Sequence, residues 1–175
     1  MFATSATAGN LVVNSDFATD TNGWANVSGV PFVWDGSTGD PAPGSGHFLS
    51  SLLSFGYVTQ CIVVSAPLNV DFYTNVRDTA SGQDVFGPTA SVDAYSDTTC
   101  TNHIGSIAAM TQPAADDIWH TLSAIDLPLP SGTNSVSVTL SASAHDGSGI
   151  NVHYDHILFG PSGTTPVRLQ SFEVE

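Results

Sequence analysis

Lysine is absent from this chain, and in 175 residues arginine occurs only at Arg77 and Arg168. Against those two bases stand 16 acids, so the formal net charge is −14. A surface of that sign repels phosphate backbones and anionic lipid headgroups. The chain is therefore expected to bind no nucleic acid and not to dock on a bilayer by charge. Charge of either sign is scarce, at 10% of residues, where about 25% is usual. The surface must be built mostly from Ser, Thr, Asn and Gly, a style that suits a secreted, extracellular protein.

Long apolar runs are also missing. None approaches the roughly 20 residues needed to cross a membrane, so no membrane insertion is expected. No capped stretch repeats apolar residues at i, i+3, i+4 and i+7, which leaves no convincing helix. Glutamate occurs only at Glu173 and Glu175, and among the other acids nothing marks the carboxylate pair that a glycosidase needs. There is no G-x-S-x-G elbow, no phosphate loop and no dinucleotide fingerprint. The chain is read as non-enzymatic, with no catalytic residue assigned.

Cysteine is limited to Cys61 and Cys100, too few for a closed zinc site. In an exported chain the expected use is one disulfide between them, closing a long loop. Two separate buried thiols are the other reading.

What is present is β-structure. Short runs rich in Val, Ile, Thr and aromatics alternate with Gly, Pro, Asn, Asp and Ser clusters. They predict strands over 10–14, 29–34, 46–53, 57–65, 69–77, 89–96, 119–127, 134–142, 150–159 and 167–174. In VDFYTNVR, Val70, Phe72, Thr74 and Val76 share one side, and Asp71, Tyr73, Asn75 and Arg77 the other. In SVSVTLSAS, Val136, Val138, Leu140 and Ala142 face inward, and Ser135, Ser137, Thr139 and Ser141 outward. Ala90, Val92 and Ala94 oppose Ser91, Asp93 and Tyr95. One wet face per strand predicts an all-β fold, a two-sheet antiparallel sandwich of jelly-roll type.

The sandwich is expected over 9–160. Residues 1–8 read as a flexible N-terminus or as a leader remnant, since Ala6-Thr7-Ala8 has the small-x-small form of an export cleavage site. Residues 161–175 read as a linker and a strand-like tail. The segment 35–46, DGSTGDPAPGSG, and the segment 78–88 are long loops of the kind that carry function or move. Asn26-Val27-Ser28 forms a glycosylation sequon.

Four stretches come in a recognisable order: NLVVNSDFATDTNGW, VTQCIVVSAP, VDFYTNVRD and GINVHYDHILFGP. Together they resemble the jelly-roll carbohydrate-binding modules attached to bacterial glycoside hydrolases, within the galactose-binding-like sandwich group. That group tends to open with Asn-Leu, then Asn-Gly-x-Phe-Glu, then Gly-Trp. It tends to close with an apolar strand carrying Asp. The likeness spans about 9 to 160. The tail TPVRLQSFEVE is similar to a segment that often follows secreted bacterial domains.

The resemblance implies that the first and last strands lie together and that the polar loop from Asn14 to Trp24 wraps the sandwich edge. Trp24 is then a core plug. It also implies a structural calcium between the first loop and the last strand, with Asp155 as the carboxylate ligand and Asp16 offering a backbone oxygen. The family's Glu is here Ala18, and Asp20 or Asn14 would have to replace it. The six histidines, among them His145, His153 and His156, are read as solvated or hydrogen-bonded, since His153 and His156 lie on opposite strand faces and suit zinc poorly.

For binding, Tyr73, Asn75, Arg77 and Asp71 stand on one sheet face, which matches the family strand that carries an aromatic and an Arg. The family's aromatic nearest the Arg is here Asn75. Trp34 and Tyr57 are candidates for stacking at the rim; an ion pair with one of the acids for Arg77, and a loop anchor for Trp34, are the other readings. The expected partner is a neutral polysaccharide or other glycan. The alternative is a structural subunit of an extracellular filament, surface layer or adhesin, self-assembling by strand addition through Val167 to Val174.

Overall fold

The computed structural model describes residues 9–51, 54–65, 68–79, 87–112, 115–144 and 149–163. The proposed leader remnant, His145 and the tail strand at 167–174 lie outside these residues.

Ten strands form, and none of the described residues is helical. In chain order they are β1 (Ala25–Asn26), β2 (Phe32–Asp35), β3 (Ser45–Ser50), β4 (Phe55–Val63) and β5 (Asn69–Asp78). Then follow β6 (Thr89–Tyr95), β7 (His103–Thr111), β8 (His120–Pro128), β9 (Ser135–Ser143) and β10 (Ile150–Pro161). The first sheet runs β1-β4-β9-β6-β7 and the second β2-β3-β10-β5-β8. Every pairing is antiparallel. This is the two-sheet sandwich that the alternation predicts.

The core comes from the inward residues of both sheets. Val136, Val138 and Leu140 on β9 and Ala90, Val92 and Ala94 on β6 are fully buried. From the second sheet they meet Val70, Phe72 and Val76 on β5, and Phe48, Tyr154 and Phe159. Tyr154 spans the gap. It is fully buried, and its hydroxyl reaches Ser141 O at 2.6 Å, with Thr89 O at 3.0 Å, on the first sheet. Burial in this apolar setting pushes its phenol well above the ordinary range.

The N-terminal segment lies along β10 as expected: Leu11 N donates to Phe159 O, and Ile157 N to Ser15 O. It forms no regular strand. The Asn10 side chain does part of the pairing, donating to Ile157 O and accepting from Phe159 N. Gln60 clasps the loop that follows through Val13 and Gly23. Trp24 is buried and packs on Phe17, so it is the core plug. Cys61 and Cys100 are disulfide-bonded, joining β4 to the loop after β6. That loop also covers the start of β9. Ser135 was expected to face outward, yet it is buried because its hydroxyl donates to Asp97 O.

Candidate functional site

The outer face of the second sheet carries most of the polar side chains singled out from sequence. Its geometry follows from register. β3 and β5 flank β10, which puts His47 and Arg77 on either side of His153. One outward position along, Asp155 faces Asn75, and Asn75 faces Thr121 on β8.

The long loop between β2 and β3 folds over this second row. Asn75 was expected to be open to solvent but is only 2% exposed. Its amide nitrogen donates to Asp40 O at 3.0 Å and Asp40 Oδ2 at 3.1 Å, and its oxygen accepts from Thr121 Oγ1. Gly44 seats the loop. Its φ is +124°, and a Cβ there would fall 2.6 Å from Phe17 O. Asp71 is buried for a similar reason: it accepts from Asp126 N, Ser162 Oγ and Gly163 N. Alternation gives the face of each residue but not the loops that later cover it.

The covering loop divides the expected binding set. Tyr73 lies on one side of Asp40, opposite Leu158 and Ser123. Arg77 lies on the other. Its guanidinium is paired with Asp117, with Nη2 at 2.6 Å and Nε at 2.8 Å from Oδ1. Trp34 sits on the core-directed side of β2, since Phe32 of the same parity is in the core. It is 44% exposed and donates from Nε1 to Phe17 O at 2.7 Å. Tyr57 is on β4 of the first sheet, beside Phe55, so it does not share this face.

Around Arg77 the face holds a group that sequence inspection did not assemble. His47 and His153 stack with ring centroids 4.0 Å apart and planes 9° apart. Trp119, just before β8, meets His153 edge to face at 6.4 Å. Val33 and Leu49 expose apolar side chains beside His47. Asp35 Oδ2 is 3.8 Å from His153 Nδ1. Ser45 Oγ contacts the same nitrogen at 3.0 Å, and His47 Nε2 contacts Asn151 Oδ1 at 2.8 Å. Burial and the neighbouring His47 push His153 down to about 4, with Asp35 acting the other way. A ring nitrogen of each histidine and a carboxylate oxygen of Asp35 all lie within 4.8 Å of one another, a group able to hold a metal ion. Part of the sequence signal was there, since His47, Asn151 and His153 fall at outward positions of predicted strands, whereas Asp35 was read as the first residue of the long loop and instead ends β2. Only the strand order β2-β3-β10 brings them together.

Of the residues expected to hold calcium, Asp155 lies farther along β10, and Asp16 lies in the N-terminal segment that runs beside it. Asp155 is buried, and its oxygens accept from Asp40 N and His156 N, each at 2.7 Å. Burial pushes its carboxyl up to about 7. The two backbone donors oppose this, and the charges of Asp16 and Asp40 add to it. Asp16 Oδ1 contacts His156 Nδ1 at 2.9 Å. Both Asp155 oxygens are thus engaged by backbone donors and the Asp16 carboxylate by His156, so a calcium ion here would have to share or displace these contacts. Asn14 and Asp20, the expected replacements for the family's Glu, are bonded to each other.

The architecture is that of a jelly-roll-like β-sandwich, and solved structures share it. No protein-family model matches the chain, and no curated protein matches it. The enzymatically active domain of tailspike protein 4 from bacteriophage CBA120 is similar at 13% identity and a TM-score of 0.68. The match covers 89% of this chain and 22% of that one. The CBM22-2 xylan-binding domain from Paenibacillus barcinonensis Xyn10C is similar at 13% identity and a TM-score of 0.62, over 90% and 100% of the two chains. The K3 cleaved adhesin domain of Lys-gingipain from Porphyromonas gingivalis W83 is similar at 14% identity and a TM-score of 0.58, over 91% and 100%. At these identities the likeness is one of fold.

Proposed function

We propose that this chain is a non-catalytic, extracellular carbohydrate-binding module that takes a neutral glycan on the outer face of its second sheet. The observation that carries the reading is the grouping of Trp119, the stacked His47–His153 pair and Arg77 on that face, flanked by the apolar Val33 and Leu49. Sugars are held by aromatic faces together with a few fixed polar groups. Tyr73 extends the surface beyond Asp40. The fold shared with a xylan-binding domain supports the reading. The charge of −14 disfavours anionic polymers but not neutral ones, and the disulfide suits an oxidising compartment. Calcium is proposed at Asp155 and Asp16, where a cation would relieve a buried carboxyl set among like charges. Affinity electrophoresis against soluble xylans, β-glucans and mannans tests the glycan reading.

The second reading, assembly into an extracellular structure, draws on the fold shared with an adhesin domain and on β7 and β8, which end their sheets. It becomes the first choice if no glycan binds.

A further inference from the structure

We propose that Asp35, His47 and His153 bind a divalent transition-metal ion of the zinc class on the outer face of the second sheet. This site is distinct from the calcium position at Asp155 and does not depend on glycan binding. Its ligands come from three neighbouring strands, β2, β3 and β10, so the sheet ladder fixes their backbones. His47 is the direct cross-strand partner of His153. Asp35 lies two residues beyond Val33, the partner of His47.

The donor set selects the ion. Two imidazoles and one carboxylate favour zinc and its neighbours, whereas calcium and magnesium prefer all-oxygen sites. Three protein ligands leave at least one coordination position open, as in exchangeable or reactive zinc sites rather than closed structural ones.

Much of the surrounding shell is also in place, and Ser45 Oγ, 3.0 Å from His153 Nδ1, must turn aside for that nitrogen to bind a metal. Ser37 holds Oδ1 of Asp35 through its backbone N at 2.8 Å and its hydroxyl at 2.6 Å. Oδ2 is then the oxygen nearest His153. The oxygen of Asn151 accepts from Nε2 of His47, which fixes the tautomer and leaves the Nδ1 lone pair for a metal. His153 is 5% exposed, so its side chain is confined.

Tetrahedral zinc bonds of about 2.1 Å place ligand atoms roughly 3.4 Å apart. Here the three lie within 4.8 Å, so small rotations close the site. Parallel rings aim their lone pairs side by side, and binding must therefore tilt His47 away from its stack on His153. That reorganisation weakens binding relative to a preformed site and gives it a signature.

The test titrates the metal-stripped full chain with zinc in a calorimeter, with no sugar present, and with cobalt followed by visible absorption. The expected result is one equivalent bound, with the intense cobalt bands of a low-coordinate nitrogen and oxygen site. Histidine ring proton shifts should also move as the stack opens. Excess calcium should not displace the ion. His47→Gln and Asp35→Asn, at partly exposed positions, should each weaken binding at least tenfold, and His103→Ala and His120→Ala should leave it unchanged. Absence of zinc binding, or binding undiminished in both His47→Gln and Asp35→Asn, overturns the proposal. Glycan titrations in chelator are scored separately, so failure of either reading leaves the other standing.

Discussion

The side chain of Asn75 holds Asp40 at two points, 3.0 Å to its carbonyl and 3.1 Å to its carboxylate. One amide on β5 thereby fastens the long loop between β2 and β3 across the face proposed to bind glycan. Removing it strands buried polar groups, at a cost of about 1–3 kcal/mol. Asn75→Ala should lower stability by roughly that amount in a denaturant melt and speed amide exchange in residues 36–44. Unchanged exchange there would mean that other contacts hold the loop.

Asp155, which accepts from Asp40 N midway along the same loop, tests the proposed calcium. If calcium binds the folded chain alone, it stabilises by mass action, about 2.7 kcal/mol at a hundredfold excess over Kd. Melting should rise from chelator to millimolar calcium in the parent chain and not in Asp155→Asn. No shift in the parent chain removes calcium from the account.

Tyr154 joins the two sheets through Ser141 and Thr89. Tyr154→Phe keeps the ring and deletes the hydroxyl, whose single proton serves Ser141 O, the nearer carbonyl, so one inter-sheet hydrogen bond is lost. The expected loss is about 2 kcal/mol, read from chemical denaturation. A loss below about 0.5 kcal/mol would mean that water or a shifted donor replaces the hydroxyl.

The Cys61–Cys100 bridge closes a loop with a sequence separation of 39. Chain entropy alone assigns such a loop about 4 kcal/mol. The double substitution to serine should lose between half and all of that while keeping the β-rich circular dichroism spectrum. Unchanged stability would place the bridge outside the cooperative unit.

Much of the fold was legible because its strands obey period two. The buried sets Val70–Phe72–Thr74–Val76 and Val136–Val138–Leu140–Ala142 stand as alternation placed them. β7 was missed because HIGSIAAMT carries small residues where a strand signal needs large ones, and its burial is weak throughout. The segment 10–14 reads as a strand, but the Asn10 side chain replaces ladder bonds. The site was less legible, for a topological reason. His47 and His153 lie 106 positions apart and meet only because β3 pairs with β10. Asp71 and Asn75 point outward as alternation requires, but their burial depends on which loops return over them.

The central claim is that the outer face of the second sheet binds a neutral glycan, and calorimetry against a panel of soluble xylans, β-glucans and mannans tests it most directly. An aromatic contact contributes about 1 kcal/mol, so Trp119→Ala and Tyr73→Ala should each weaken binding about fivefold. Arg77→Ala should weaken it as well, since the guanidinium fork offers directional donors. Tyr57→Ala, on the opposite sheet, should bind like the parent chain. The account predicts weak, saturable binding to at least one glycan, reduced by the three substitutions on the face and untouched by the fourth. No binding to any of them, or binding that survives Trp119→Ala, Tyr73→Ala and Arg77→Ala together, would contradict it.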